Sequence, residues 1–312
     1  MHNASSSILG DTIALIGNIL GAELEAITIE RAVVGLFFTG VKLSNGTAGA
    51  SATPIKSIPE AVCCPSSAMA MPFPGKLHGR QAADLAHEAL SGHGIRRAVG
   101  IATVNALADV CWQRRPHPEV ELCYDIDAFD ATDIRPGDKV VVVGAFVPFL
   151  KELKRRGQDY LVLEQDPATL KADELPFFRP AEQAPEVLPN ADVALITGAT
   201  LVNNTLEHLL AMTRPDARVT VVGPTVGMLP DAFLARGAEV LGCVRITEPD
   251  AFLELLAEGG SGYHFFGRSA QKLVLARRPA RFDCRAAQPR PAVLFEPFGR
   301  RMCHHCHFFA SH

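Results

Sequence analysis

Three short β-branched runs, each ending in a glycine-containing turn, constrain the fold of this chain more than any other feature of its sequence. They are VVVVGAFVP (Val140–Pro148), ALITGATLVNNT (Ala194–Thr205) and VTVVGPTVG (Val219–Gly227). Each apolar run has the length of a strand that is buried on both faces, and a helix-like segment follows each turn. Such turns lie together at the carboxyl edge of a parallel sheet, where open α/β folds bind ligands.

The order of predicted elements divides the 312 residues into two domains and a tail. Residues 1–122 read as a helix, a β-meander with an Asn45-Gly46 hairpin turn, and two further helices, which is an α+β order. Residues 123–280 alternate strands with helices and predict a doubly wound α/β sheet, with Leu273–Ala276 as a last, edge strand. Residues 281–312 form a tail rich in arginine, cysteine and histidine.

Composition excludes several classes of protein. No apolar run approaches the ~18 residues of a membrane span, and the N-terminus carries Asp11 but no Lys or Arg in its apolar part, which argues against a secretory signal. We therefore expect a cytoplasmic protein with no membrane partner. The scattered cysteines do not indicate a disulfide framework, and the arginines from Arg277 onward are interpreted as a solvated end that binds no nucleic acid.

The turn after Val143 is the first candidate ligand site. Gly144 allows a tight turn, and the helix that follows offers free N–H groups that favour an anion. The sequence GAFVP lacks the later glycines of a dinucleotide-binding turn, so the turn is also compatible with a strand-to-helix connection that binds nothing. Glu164, about 20 residues on, stands where nucleotide and S-adenosylmethionine folds carry an acid for ribose; the alternative is an exposed loop acid.

Neutral hydrogen-bonding side chains are concentrated after the second of the three strands. Thr197, Thr200 and Asn203 bring hydroxyls and an amide to one strand end. Asn203 or Asn204 could cap a helix predicted over residues 203–213, although a cap accounts for only one of these side chains. Uncharged donors and acceptors suit a polar ligand without requiring acid–base catalysis.

Asn105 is a polar residue in an apolar helix predicted near Gly94–Trp112. Asparagine is unfavourable in a helix interior, and a buried amide without partners is costly. Asn105 therefore either ties neighbouring strands together or faces a ligand between the two domains.

The C-terminus carries a cluster of potential metal ligands. Cys303, Cys306 and His307 have the spacing of a haem c attachment motif, but without an export signal that interpretation is disfavoured. Two thiolates and an imidazole could instead hold zinc. The alternative is a tail that binds metal only adventitiously.

Five stretches of the chain resemble the putative heavy-metal chelation family. They are GVKLSNGTAGASATP (Gly40–Pro54), GIATVNAL (Gly100–Leu107), GDKVVVVGAFVP (Gly137–Pro148), ITGATLVNNTLEHLL (Ile196–Leu210) and VVGPTVGMLPDAFLARGAEVLG (Val221–Gly242). The resemblance implies a small domain similar to the enolase N-terminal domain, joined to a Rossmann-like domain, with a site in the cleft between them. The implied site residues are Asn105, Gly144, Phe146, Glu164, Thr197, Thr200, Asn203, Gly223, Pro224 and Thr225.

These features favour a small-molecule-binding protein that handles a heavy metal, a metal chelate or a chelator precursor. The motifs hold no cluster of His, Cys or carboxylate, so binding of an organic chelator fits them better than direct ligation of a soft metal. One alternative is a transferase that uses S-adenosylmethionine or a nucleotide. Another is a metal carrier or sensor that uses the C-terminal tail. Whether the protein is an enzyme stays open, and an enolase-like cap is compatible with a homodimer.

Overall fold

The computed structural model describes residues 7–57, 69–279 and 284. The first unit begins with helix α1 (Ile8–Leu20), whose first turn is capped because Ser7 Oγ accepts a hydrogen bond from Gly10 N at 3.0 Å. An antiparallel sheet in the order β1-β2-β3 follows. Its strands are β1 (Ile29–Val34), β2 (Phe38–Leu43) and β3 (Ala48–Ala52). Helices α2 (Ala82–Ser91) and α3 (Ile95–Arg114) complete the unit.

Small residues in β3 and α3 allow their backbones to lie in contact. A Cβ atom on Gly49 would overlap Ala102 O and Ala106 N of α3, and one on Gly100 would overlap α2 at Ala89 N. Glycine is therefore required where the strand and the two helices approach each other. This close approach brings Asn105 of α3 within hydrogen-bonding distance of β3.

The second unit is built on an eight-stranded sheet in the described part of the chain. Its strands are β4 (Val120–Tyr124), β5 (Val140–Val143), β6 (Tyr160–Glu164), β7 (Phe178–Pro180), β8 (Val193–Thr197), β9 (Arg218–Val222), β10 (Ala238–Ile246) and β11 (Ala270–Arg277). Its helices are α4 (Ala128–Ala131), α5 (Val147–Arg156), α6 (Ala184–Val187), α7 (Ala199–Val202), α8 (Leu206–Met212), α9 (Asp231–Leu234), α10 (Pro249–Ala257) and α11 (Gly262–Phe265).

The sheet order confirms the predicted fold class. The strands lie in the order β4-β11-β10-β9-β8-β5-β6-β7, and the six strands from β10 to β7 are parallel. With β5 counted as the first strand, these six have the Rossmann order 3-2-1-4-5-6. The prediction that Leu273–Ala276 is an edge strand was wrong, because β11 lies between β10 and β4 and is antiparallel to both.

The two units share one hydrophobic core, which includes Ile101 and Leu107 of α3 together with Val221 and Leu241 of the large sheet. The second unit also packs on the outer face of the small sheet through α10. A Cβ on Gly40 would lie 2.6 Å from Leu253 Cδ2, so β2 meets this helix at close range. The small sheet is thus covered by α3 on one face and by α10 on the other.

Two local expectations differ from the structure. The helix predicted over residues 203–213 begins at Leu206, and neither Asn203 nor Asn204 caps it, because the chain makes a turn there with Asn204 at φ 62°. Cys123 and Cys284 form a disulfide, which the scattered spacing of the cysteines did not indicate. Among the described residues, no helix combines the length and the apolar character needed to cross a membrane.

Candidate functional site

The carboxyl ends of β5 and β8 meet where the strand order reverses, which is where α/β sheets of this topology bind ligands. Gly144 follows β5 with φ 97°, a conformation that favours glycine. A Cβ atom on it would lie 3.0 Å from Thr197 Cγ2 at the end of β8. The structure therefore brings Gly144 and Thr197 together, as the two strand-end motifs predicted.

Glu164 accepts hydrogen bonds from the turns that follow β5 and β6. Its Oε2 accepts a hydrogen bond from Ala145 N at 3.0 Å, and its Oε1 accepts from Gln165 N at 2.7 Å and from Asp166 N at 3.2 Å. The carboxylate thus joins the turn after β5 to the turn after β6. Three backbone donors occupy most of its acceptor positions, which disfavours the role of a ribose acceptor that its position in sequence allowed.

The other residues predicted at the carboxyl ends of these strands make ring or hydrogen-bond contacts with residues close to them in sequence. Phe146 is half-buried and stacks on Phe149 with ring centroids 5.1 Å apart. Thr200 is buried and donates from Oγ1 to Thr197 O at 2.5 Å. Asn203 is exposed, and its Oδ1 accepts from Thr205 Oγ1 at 2.6 Å, so it belongs to a surface turn.

Asn105 ties the small unit to the turn after β9. Its Nδ2 donates to Ala50 O at 2.6 Å, to Thr225 O at 2.9 Å and to Pro224 O at 3.2 Å. Thr225 adds a second tie, because its Oγ1 accepts from Ala52 N at 2.9 Å. Gly223, at φ 137°, begins this turn, and its N–H donates to Gly242 O at 2.8 Å.

A small pocket of about 20 Å³ lies beside Asn105, between the two units. Among the residues predicted for the site, Asn105 and Pro224 line it, whereas the Gly144 and Thr197 turns do not. The sequence analysis missed Asp109, Trp112 and Arg245, which also line it. The missed signal was helical spacing, because Asp109 and Trp112 follow Asn105 at i+4 and i+7 and therefore lie on the same face of α3.

Two buried polar atoms of this pocket region have no hydrogen-bond partner among the described residues. They are Asn105 Oδ1 and Trp112 Nε1, one an acceptor and the other a donor. Burial raises the pKa of the Asp109 carboxyl, although Arg245 and Gln113 oppose that shift. The pocket therefore offers both neutral and charged hydrogen-bonding groups at the boundary between the units.

The described residues do not fit direct ligation of a heavy metal. No three His, Cys, Asp or Glu side chains among them gather as a metal site requires. Burial raises the pKa of Cys111 to about 11 and that of Cys243 to about 12, so both are thiols at neutral pH, whereas metals bind thiolates. The predicted ligands Cys303, Cys306 and His307 lie outside the described residues.

Comparison with known proteins shows which family this chain is similar to. One model described as "Putative heavy-metal chelation" matches residues 18–108, and a second with the same description matches residues 127–275. The chain belongs to this putative heavy-metal chelation family. The two matches fall one in each unit of the fold, which agrees with the resemblance seen in the sequence.

One curated relative extends the comparison. An uncharacterized protein of Methanocaldococcus jannaschii is 28% identical over 180 residues, which are 56% of this chain and 64% of that protein. This chain therefore spans less than two thirds of the length of that curated relative.

Two crystal structures share the fold, and both belong to the family of the second model. A protein of unknown function from Pyrococcus horikoshii has a TM-score of 0.67 at 17% identity, and one from Desulfitobacterium hafniense has 0.66 at 21%. Each comparison covers 86% of this chain and 99% of the other. At this level of identity the likeness shows the fold alone.

Proposed function

We propose that this protein binds a small organic molecule, a metal chelator or a metal chelate, at the junction of its two units. The observation that carries the proposal is that Asn105 and Trp112, which line the small pocket between the units, each have a buried polar atom with no partner among the described residues, Oδ1 and Nε1. Buried polar groups are normally hydrogen-bonded, and those that lack a protein partner are candidates for contact with a ligand or an ordered water.

The chemistry of the lining favours an organic ligand over a bare ion. Amide, indole and guanidinium groups recognise oxygen and nitrogen atoms of an organic molecule, whereas soft metals require thiolate or imidazole. The family description supports a link to heavy metals. The chemistry of the lining and the link to heavy metals agree if the metal reaches the protein already bound to an organic chelator. They also agree if the protein binds the chelator alone.

The geometry of Glu164 argues against S-adenosylmethionine or a nucleotide as the ligand. Its carboxylate is engaged by three backbone N–H groups. The turn at Gly144 also lacks the second and third glycines that bring a backbone close to pyrophosphate.

Equilibrium dialysis tests the proposal, with retained nickel measured by elemental analysis and retained citrate or histidine measured by mass spectrometry. The full chain is dialysed against nickel–citrate, nickel–histidine, the two free chelators, or nickel chloride. We expect one of the chelates or free chelators to be retained at about one per chain. A variant that ends at Arg301, and so lacks the Cys303–His312 segment, should retain the same amount.

Two results would contradict the proposal. One is retention of nickel from nickel chloride alone that is lost in the variant ending at Arg301, because the tail would then be the metal site. The other is retention of neither chelate nor free chelator at millimolar concentration.

A further inference from the structure

The disulfide between Cys123 and Cys284 joins two parts of the chain that are far apart in sequence. Cys123 belongs to β4 and Cys284 follows β11, so the bond spans a sequence separation of 161. β4 lies at one end of the large sheet, and in the described part of the chain it pairs with β11 alone. The disulfide therefore fastens the chain that follows β11 to an edge strand.

The chain that follows β11 has a second attachment to β4, at the opposite end of that strand. Arg278 N donates to Glu119 O at 2.8 Å, just before β4 begins. Cys123, close to the other end of β4, holds Cys284 with the two Cα atoms 5.2 Å apart. Because a strand rises about 3.3 Å per residue, the two attachments are separated by about 13 Å along β4.

The two sulfur atoms differ in their access to solvent. Cys123 is 1% exposed and belongs to the hydrophobic core cluster that contains Ile126 and Phe129. Cys284 is half-buried and packs against that cluster. A thiolate from solvent therefore reaches the bond from the side of Cys284, and access of this kind decides which sulfur is attacked in thiol–disulfide exchange.

The free cysteines in the described part of the chain do not compete for this bond. Cys111 and Cys243 are both buried, and burial raises the pKa of the first to about 11 and of the second to about 12. Exchange requires a thiolate, which neither residue supplies near neutral pH.

We propose that the Cys123–Cys284 disulfide is a redox-sensitive latch, which holds the chain after β11 against β4 when it is oxidised and releases that chain when it is reduced. The reductant is a small thiol of the glutathione class. Its thiolate attacks Cys284 Sγ, the bond between the two protein sulfurs breaks, and Cys123 leaves as a thiolate that takes up a proton. A second thiolate attacks the mixed disulfide, which frees and protonates Cys284 and leaves the two small thiols joined as their disulfide.

Opening the latch changes the place from which residues 285–312 leave the fold. In the oxidised protein they start beside Cys123, next to Tyr124. Tyr124 is opposite Leu273 of β11, which lines the small pocket between the units. In the reduced protein the last attachment is at Arg278, at the far end of β4. The redox state thus decides whether the C-terminal segment starts near the candidate site or away from it.

Differential alkylation with peptide mapping tests the latch on the full chain, equilibrated in buffers of oxidised and reduced glutathione. We expect Cys123 and Cys284 to change together, reversibly and in the folded protein, from linked to alkylated as the reduced share rises. Hydrogen exchange reports the release. The amides of Val120–Tyr124 should exchange at least about tenfold faster in the reduced protein, whereas those of Val140–Val143 inside the sheet should not change.

Two variants assign these effects to the latch. Cys284→Ser should behave as the reduced protein in every buffer, and it should melt at least about 5 °C below the oxidised wild type, because a long closed loop restricts the unfolded chain. The double variant Cys303→Ser/Cys306→Ser is the matched control. It removes two cysteines of the C-terminal segment but keeps the latch, so it should respond to glutathione as the wild type does.

Three outcomes would overturn this inference. The first is a bond that stays closed in excess reduced glutathione until urea is added, because it would then be a permanent structural link. The second is a Cys284 thiol that remains free in oxidised glutathione. The third is equal hydrogen exchange of β4 in the oxidised wild type and in Cys284→Ser.

Discussion

At the scale of single residues, Asn105 joins the two units through the hydrogen bonds of its side-chain amide. Its amide nitrogen bonds a carbonyl of the small sheet and two carbonyls of the turn after β9. The sequence analysis left open whether this residue ties strands or faces a ligand. The two atoms of the amide differ in this respect, since Nδ2 makes the ties and Oδ1 has no partner among the residues that the structure describes.

Asn105→Ala should destabilise the protein by about 2–3 kcal/mol, because it leaves buried carbonyl groups without a donor. Urea unfolding followed by circular dichroism measures the loss. Thr103→Val is a control on the same helix, since Thr103 Oγ1 only donates to Val99 O within the helix. The control should lose less than about 1 kcal/mol. Equal losses would show that Asn105 fills space and ties nothing.

The two free cysteines in the described part of the chain, Cys111 and Cys243, are buried and should be unreactive in the folded protein. Burial raises the pKa of Cys111 to about 11 and of Cys243 to about 12, so the reactive thiolate is scarce below those values. We expect alkylation by iodoacetamide at pH 8 to be slow at both positions and to become fast in urea. Peptide mapping by mass spectrometry measures each site. Fast labelling of Cys111 or Cys243 without denaturant would contradict this prediction.

At the scale of elements, the contact between β3 and α3 sets how closely the small sheet approaches the helix that carries Asn105. Gly49→Ala should cost at least about 2 kcal/mol, because its methyl group would overlap backbone atoms that cannot move independently. Gly17→Ala, in the interior of α1, should instead stabilise the protein by up to about 1 kcal/mol. Thermal unfolding of both variants provides the comparison, and a neutral Gly49→Ala would mean that the helix can move away from the strand.

Local sequence predicted most strands of the large sheet but not its two edge strands, β4 and β7. The β-branched runs at Val140–Val143 and Val193–Thr197 are visible because both of their faces are buried. β4 and β7 were missed, since each is short and carries few fully buried residues. The place of β4 depends on β11, a partner about 150 residues away, and no local pattern encodes such a pairing.

The predicted site residues were brought together only in part. The turns after β5 and β8 lie next to each other as the sequence predicted, but sequence could not show that Glu164 is engaged by backbone N–H groups, because that depends on how two loops fold together. Asp109 and Trp112 were missed because residues on one helix face are more often core or surface than ligand-binding. Asn203 was included because of its motif, yet the chain turns outward at that point.

At the scale of the whole molecule, the two units are not independent. They share one core, and the small sheet lies between α3 of its own unit and α10 of the other. Arg97 strengthens the junction, because its Nε donates to Leu201 O at 2.9 Å and its NH2 group donates to Asn204 Oδ1 at 2.8 Å. Each unit alone would expose a large apolar surface.

We therefore expect the full chain to unfold in a single cooperative transition. Scanning calorimetry should give a calorimetric enthalpy equal to the van't Hoff enthalpy. A fragment of residues 1–118 should fail to fold, because the residues that cover its helices and sheet belong to the other unit. Two resolved transitions, or a folded fragment, would show that the units are separate domains with a weak interface.

The three hydrogen bonds of Asn105 also bear on how quickly a ligand could come and go. A movement that separates the small unit from the turn after β9 must break the bonds from Asn105 to Pro224 O and Thr225 O, and Thr225 Oγ1 would lose its bond to Ala52 N at the same moment. We therefore expect slow exchange, with a long residence time of the bound molecule even where its equilibrium affinity is modest.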